Sequence, residues 1–337
     1  MARRVTRSSQ PIAASDFRRR LLGWYRSHGR DLPWRKTRDS YAILVSEVML
    51  QQTQVATVIP YYNRWLRRFP DFKALAAASD NDVLHAWQGL GYYSRARNLH
   101  STAKTVQDQH EGEFPRRLAQ MRSLPGIGKY TAHAIASFAF NQSAPIVEAN
   151  SARVLARLFD LKTPIDSSVG KKLLWRHSAQ LAPKRHSARF NSALIDLGAL
   201  ICVPRKPKCL VCPVNRFCRT IDPENVPRKK ARSVLERLTE RHVLIRQQNK
   251  IMLEQSQRRW RGMWILPTLK KELTGKHPDH VSTFPFTHHR IDLEVFRERA
   301  RQRRDKSGRW FAIGALDSIP IPSPHRRAIR ALIGIEH

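Results

Sequence analysis

The stretch Leu124–Leu155, LPGIGKYTAHAIASFAFNQSAPIVEANSARVL, decides the fold. In Leu124-Pro125-Gly126-Ile127-Gly128-Lys129 the proline stops a preceding helix, and the two glycines permit a tight turn that β-carbons would crowd. From Tyr130 to Phe140 the apolar residues Ala132, Ile135, Ala136, Phe138 and Ala139 return at helical spacing. A glycine turn feeding a helix start leaves N–H groups pointing outward, a seat for a phosphate. The turn has no preceding strand, which a dinucleotide fingerprint needs, and no Gly-Lys-Ser/Thr, which a Walker loop needs. The segment therefore reads as helix, hairpin, helix.

About twenty residues on, Pro145-Ile146-Val147-Glu148-Ala149-Asn150 carries a lone carboxylate out of an apolar run. Asn150 can cap a helix over Ser151–Leu161. Glu148 has two readings: a further helix-capping acid, or an acid set beside a phosphate seat to act on a nucleic-acid backbone or sugar.

The rest of the chain favours a polyanionic partner. Among 337 residues, 61 Lys and Arg against 27 Asp and Glu give a formal charge of +34, and so large an excess gains from releasing phosphate counterions. An anionic membrane would also attract such a chain, but no apolar run approaches a spanning helix and no lipidation signal is visible. Nucleic acid is the expected partner, and no membrane. The length allows two domains. Residues 1–15, rich in Arg and Ser, lack the apolar segment of a secretory signal and are expected to form a disordered basic arm.

Asp16–Ser27 carries Phe17, Leu21, Leu22 and Trp24 on one helical face. Arg30, Trp34 and Arg35 then mark an irregular segment suited to stacking on a base and gripping a phosphate, although Trp34 also suits a core plug. Tyr41–Val58 reads as one strong helix. Within it Glu47 lies among Leu44, Val45, Val48 and Met49. Such a carboxylate is either a surface glutamate or a desolvated acid able to carry a proton near neutrality. Gln51, Gln52 and Thr53 can reach base edges or wedge a duplex. Gly89-Leu90-Gly91-Tyr92-Tyr93 suits a loop whose apolar tip enters stacked bases. Helices are expected again over Leu173–Leu181 and Phe190–Leu200.

Cys202, Cys209, Cys212 and Cys218 follow as Cys-x6-Cys-x2-Cys-x5-Cys, interleaved with Lys and Arg. Four thiols so close suggest a metal centre in a reducing compartment rather than disulfides. Thiolates suit zinc or an iron–sulfur cluster; zinc sites usually pair two Cys-x2-Cys knuckles, and only one is present. Residues 221–240 read as a charged linker. From 241 to 337 the period changes: strands are expected at Val243–Ile245, Lys250–Glu254, Arg261–Pro267, Phe284–His289 and Ile291–Phe296, with a closing helix at Pro324–Ile333. The expected architecture is a mostly α helix-hairpin-helix domain over 16–220 with its cysteine loop, plus a smaller α+β domain.

These motifs together resemble the helix-hairpin-helix, endonuclease III-like glycosylases, and the cysteine spacing is that of their 4Fe-4S loop. Ser46–Val55 (SEVMLQQTQV), Gly89–Tyr93 with Arg95–Leu99, and Arg30–Arg35 narrow the resemblance to the MutY-type adenine DNA glycosylases. The C-terminal stretch is similar to their Nudix-related reader of 8-oxoguanine. The resemblance implies removal of adenine mispaired with 8-oxoguanine or guanine, by a monomer in the cytoplasm associated with the nucleoid. It implies a 4Fe-4S cluster on the four cysteines, Glu47 as general acid, and Glu148 as the anion facing the sugar. Tyr130 and Asn150 complete the catalytic group. Arg30, Trp34 and Leu50 match the adenine-pocket wall. Gln52, Leu90 and Tyr92 match DNA-wedging positions, and Gly126, Gly128 and Lys129 the backbone-gripping hairpin. Tyr130 stands where the related lyases carry their lysine, implying a monofunctional enzyme, with Lys129 next to it as a source of residual lyase activity.

Three departures matter. Glu148 replaces an aspartate and is one methylene longer. Ser192 stands where the family has Gln or Glu reaching the adenine. Phe286-Thr287-His288 replaces a Phe-Ser-His reading loop. No Arg-Glu-x-x-Glu-Glu run is present, so no nucleotide pyrophosphatase activity is expected. A thymine or uracil mismatch glycosylase and a non-catalytic lesion-binding protein are the alternatives.

Overall fold

The computed structural model describes residues 12–231, 235–269, 275–286, 288–299 and 308–334. The contacts divide them into two compact units: the described residues up to Lys73 with Ser101–Ala231, and Ala74–His100 with those from 235 onward. The break after Ala231 falls within the stretch expected to be linker, and the second unit also takes in Ala74–His100. In the second unit Arg97 donates to the Arg261 carbonyl at 2.9 Å, and His85 bonds the Asp317 carbonyl at 2.8 Å. Of the expected basic arm, residues 1–11 lie outside the described residues. The remainder is ordered: Ile12 is buried and the first helix begins at Ala14.

The helices are α1 (Ala14–His28), α2 (Ser40–Leu50), α3 (Val55–Arg68), α4 (Phe72–Ala77), α5 (Asp80–Ala86), α6 (Ser94–His110), α7 (Leu118–Ser123), α8 (Lys129–Phe138), α9 (Ala149–Leu158), α10 (Ser168–Leu181) and α11 (Ser187–Leu200). Among the described residues no strand precedes the cysteines, as expected. The single helix expected over Tyr41–Val58 is two, α2 and α3. Gln52 takes φ 59°, in the left-handed region, and ends α2 without a glycine or proline to announce it. The apolar pattern concealed the break because Tyr41–Met49 is buried on every face, leaving no polar stripe to lose phase. Asp39 starts α2 by accepting from the Tyr41 and Ala42 amides.

α1, α9, α10 and α11 surround one core built from Phe17, Leu21, Leu155, Leu158, Phe190 and Leu197. Cys202, Cys212 and Cys218 rest against it, so the cysteine loop is seated on the helical core. None of the helices among the described residues is long and apolar enough to cross a membrane.

The second unit carries a mixed sheet: β1 (Glu236–Gln247), β2 (Lys250–Gln255), β3 (Trp264–Ile265), β4 (His280–Phe286), β5 (His289–Arg299) and β6 (Gly308–Ala312). The order is β3-β2-β1-β5-β4, with β6 also on β2. β1 runs parallel to β5, pairing Glu236 with His289 through Arg246 with Arg299; the other pairings are antiparallel. α12 (Ser323–Ile333) closes the chain. β1 begins inside the stretch expected to be linker, because ion pairs bind its charged start: Arg237 to Asp292 at 2.5 Å and Arg241 to Glu294 at 2.9 Å. β6 gave no sequence signal, and only Trp264–Ile265 of Arg261–Pro267 is strand.

Candidate active site

α7 ends at Ser123, one residue before the hairpin, and α8 starts at Lys129. Gly126 sits at φ 72°, a conformation that disfavours any β-carbon. Gly128 does not need that freedom. Its φ is −82°, and a β-carbon there would meet nothing within 4 Å, so the turn itself does not crowd it as expected. What Gly128 leaves is open space before the uncapped N-terminus of α8, where a phosphate can approach the free amides. Lys129, exposed beside it, lays its ammonium over the Trp175 ring at 4.0 Å.

A cleft of about 990 Å³ lies in this first unit. Its lining includes Glu47, Tyr130, Glu148 and Asn150, together with Arg30, Trp34, Leu50, Gln52 and Ser192. Glu47 is 6% exposed and is therefore the desolvated acid, not the surface glutamate. The Tyr130 hydroxyl donates to Glu47 Oε2 at 2.7 Å. Burial raises Glu47 to about 7; the nearby Glu148 adds to the rise, while the Tyr130 hydrogen bond and the Arg35 charge work against it. A carboxyl near 7 exchanges a proton at neutral pH at little cost in either direction. Burial and the two carboxylates push the Tyr130 hydroxyl well above its usual value, so it stays a donor.

Glu148 takes the capping reading of its sequence, and it also lines the cleft. As N-cap of α9 it accepts from Ser151 N at 2.6 Å and Asn150 N at 2.8 Å, and Ser151 Oγ accepts from Glu148 N at 2.9 Å to close a capping box. The cap is Glu148 and not Asn150, which instead donates through Nδ2 to Glu148 Oε2 at 3.3 Å. The helix accordingly starts at Ala149, two residues before the expected Ser151. Arg153 Nη2 holds Asn150 Oδ1 at 2.8 Å and the Gly198 carbonyl at 2.7 Å. Upstream, Asn191 Nδ2 donates to Ala144 O and Ser178 Oγ to Ile146 O, both at 2.8 Å, and these fix the irregular lead-in. The Glu148 carboxylate is thus aimed by polar anchors on α9, α10 and α11.

Trp34 takes the core-plug reading and also borders the cleft. It is a buried plug with its ring edge-on to Tyr62 at 5.4 Å, and it forms cleft wall. One supporting group went unread in the sequence. Asp196 on α11 is fully buried and accepts from Arg30 N and Nε at 2.9 and 2.6 Å and from Arg35 Nη1 and Nη2 at 2.7 and 2.8 Å. The signal was available: Asp196 is a lone acid in the apolar run Ala193–Leu200, the pattern that marked Glu47.

The remaining expected DNA contacts belong to the second unit. Leu90 is 5% exposed and packed inside, so it does not form a protruding tip; Tyr92, at φ 47° and 44% exposed, is what stands out. Its turn is stiff, since Trp87 Nε1 donates to Gly91 O at 3.0 Å and Arg95 Nη2 to Leu90 O at 3.0 Å. Phe286 is half-buried under the Arg259 guanidinium, 4.5 Å from its ring centre, and His288 is exposed. Thr287 lies outside the described residues.

The cysteine loop fits a thiolate-held cluster. Burial chiefly raises the Cys212 thiol to about 12, with smaller pushes from Cys202, Cys218 and Cys209, so Cys212 lies within reach of the other three sulfurs. The fit rests on this all-sulfur donor set. Single-ion geometry does not contribute, since no trio of His, Cys, Asp or Glu among the described residues forms one. Arg157, 2% exposed, donates to the carbonyls of Cys202, Val203, Pro204 and Val226 and to Cys202 Sγ at 3.3 Å. No carboxylate is among those partners, and an anionic cluster held by the four cysteines would supply the charge that such a buried guanidinium calls for.

Residues 45–177 match the family model of the HhH-GPD superfamily base excision DNA repair protein, and residues 202–218 match the iron-sulfur binding domain of endonuclease III. The chain is 30% identical to the adenine DNA glycosylase of Buchnera aphidicola subsp. Schizaphis graminum over 340 residues, covering 93% of this chain and 97% of that protein. To the adenine DNA glycosylase of Buchnera aphidicola subsp. Baizongia pistaciae it is 44% identical over 205 residues. That alignment takes in 60% of this chain and 58% of the relative's length. A thermostable thymine-DNA glycosylase structure superposes with a TM-score of 0.57 at 32% identity, covering 61% of this chain and 94% of that one.

Proposed function

The chain belongs to the adenine DNA glycosylase family, and from that premise we propose that it hydrolyses the N-glycosidic bond of adenine mispaired with 8-oxoguanine or guanine in double-stranded DNA. The observation that carries this reading is the Tyr130–Glu47 hydrogen bond in the same cleft as a capped, aimed Glu148. A flipped adenosine enters the cleft between Trp34 and Leu50. Protonated Glu47 gives its proton to the adenine ring, so the C1′–N9 bonding pair leaves with a neutral base. The carboxylate of Glu148 faces the cationic sugar until water adds to C1′.

Four hydrogen-bond-ordered groups, Glu47, Tyr130, Glu148 and Asn150, form the catalytic set. Gln52 and Tyr92 act on the DNA helix around the lesion, the hairpin grips phosphate, and Phe286, Thr287 and His288 read the opposing base from a Nudix-like domain. Tyr130 in place of a lysine supports a monofunctional enzyme, and the Trp175 ring occupied by Lys129 supports it further. Cys202, Cys209, Cys212 and Cys218 hold the 4Fe-4S cluster, which when bound pins the loop carrying exposed Arg205, Lys206, Lys208 and Arg216. The protein acts as a monomer in a reducing cytoplasm, at the nucleoid.

Single-turnover cleavage of duplexes carrying A opposite 8-oxoguanine, A opposite G and T opposite G tests this. Excision of adenine, strongest opposite 8-oxoguanine, is expected, with strand scission only after alkali. Excision of thymine alone would replace this reading with a thymine mismatch glycosylase, and tight binding without excision would replace it with a lesion-binding protein.

A further inference from the structure

Asp196 is a buried anion that touches neither Glu47 nor Glu148, yet it holds two of the arginines that line the cleft, Arg30 and Arg35. It accepts four hydrogen bonds, two from Arg30 and two from Arg35. Arg35 also donates to the Arg30 carbonyl at 3.0 Å, so the two arginines and the aspartate form one closed group. Arg35 stands close enough to Glu47 for each to feel the other's charge.

The charged or titratable groups that act on Glu47 come from three directions. They are Tyr130 on α8, Glu148 at the cap of α9 and Arg35 in the short 3-10 turn Pro33–Arg35. Only Arg35 is a cation. A guanidinium free to turn onto a buried carboxylate would pair with it and fix it as the anion, which cannot donate a proton. Asp196 removes that freedom by saturating the fork of Arg35 and the Nε of Arg30.

We propose that Asp196 is a positioning residue that keeps Arg30 and Arg35 committed to α11, and thereby keeps Glu47 able to exist as the neutral acid. The inference rests on Glu47 being the acid of adenine excision. It adds that the acid is maintained by a second carboxylate outside the reacting group. Replacing Asp196 by asparagine keeps the shape but removes the charge and turns one acceptor into a donor facing the guanidiniums. Both cations then lose their counter-charge, and the anions left lining the cleft are Glu47 and Glu148.

The test is the pH profile of single-turnover excision of adenine opposite 8-oxoguanine by the full-length, cluster-loaded protein. In the wild type the rate is expected to fall with rising pH around neutrality, as Glu47 ionises. Asp196→Asn should move that alkaline limb down by about one pH unit, leaving most activity at acidic pH. Arg35→Gln should move it up, by roughly half a pH unit, since it removes a cation while Asp196 keeps Arg30. Asp196→Glu should restore the limb toward its wild-type position. Opposite movements from two partners of one ion pair support the proposal, because a merely structural ion pair would lower the rate in both variants without displacing either limb. Equal losses at every pH with the limb unmoved would overturn it and leave the acid assignment intact. A wild-type profile without an alkaline limb would overturn the acid assignment, and the proposal with it. If Asp196→Asn fails to fold, Arg35→Gln decides alone: an upward limb supports the proposal and an unmoved one overturns it.

Discussion

Replacing Glu47 by glutamine should make the protein more stable at alkaline pH while destroying its activity. The carboxyl is buried and rises from 4.5 to about 7 in the folded chain. Between those values the unfolded chain has lost the proton and the native chain still holds it, so stability falls as pH rises. Each pH unit across that window costs about 1.4 kcal/mol, and two and a half units cost about 3 kcal/mol. The loss is absent below the unfolded value and complete once pH passes the folded one. A glutamine has no proton to lose, and its amide oxygen still accepts from Tyr130. The assay is the denaturant midpoint of wild type and Glu47→Gln at pH 4, 5.5, 7 and 8.5, on cluster-loaded protein. Taking the difference cancels every other titrating group. The gap should be near zero at pH 4 and grow in favour of the variant to about 3 kcal/mol at pH 8.5. A gap that does not change with pH, or that favours the wild type as pH rises, would refute the claim that Glu47 is a desolvated acid.

Three further perturbations follow from the same geometry. Tyr130→Phe removes a hydrogen bond that favours the carboxylate, so the alkaline limb of the pH–rate profile should move up by about one pH unit; a limb that stays in place would separate Tyr130 from Glu47. Gly198→Ala would set a β-carbon 2.7 Å from Asn150 Cβ and Asn150 O and 2.9 Å from Asn150 C. Because backbone yields little, roughly 1–3 kcal/mol of stability should be lost and single-turnover excision should slow at least ~10-fold as Glu148 is displaced, while an unchanged rate would show that the aim of Glu148 tolerates movement. Arg157→Met removes a donor from the part-buried carbonyls of Cys202, Val203 and Pro204, and iron per protein and visible absorbance should fall during purification; full cluster retention would show that the loop is held by its thiolates alone.

Most of the site was legible because its chemistry leaves marks in the local sequence. Gly126 needs a positive φ, the cysteines need fixed spacing, and Glu47 and Glu148 are carboxylates in apolar runs, which soluble chains seldom keep without a reason. What escaped was long-range or masked by burial. Asp196 meets Arg30 and Arg35 across more than 160 positions, and the fold alone brings them together. The boundary between α2 and α3 hides in a run buried on all sides, where helical phase carries no information. Leu90 was expected at the surface because glycines flank it, but the turn folds its side chain inward and leaves Tyr92 exposed. The start of β1 is charged, and its strand character comes from its pairing with β5, backbone and ion pairs together, which the local sequence does not show. In the second unit the β architecture was foreseeable from the change of period, whereas the parallel pairing of β1 with β5 was not.

The most direct measurement compares wild type and Glu47→Gln on one duplex with A opposite 8-oxoguanine, recording single-turnover excision and equilibrium binding on the same protein. The account predicts binding within a few-fold of wild type and excision reduced at least ~10³-fold, since proton delivery to the base is lost while the cleft stays whole. A variant that still excises adenine within ~10-fold of wild type would show that the proton comes from elsewhere, and would contradict the account at its centre.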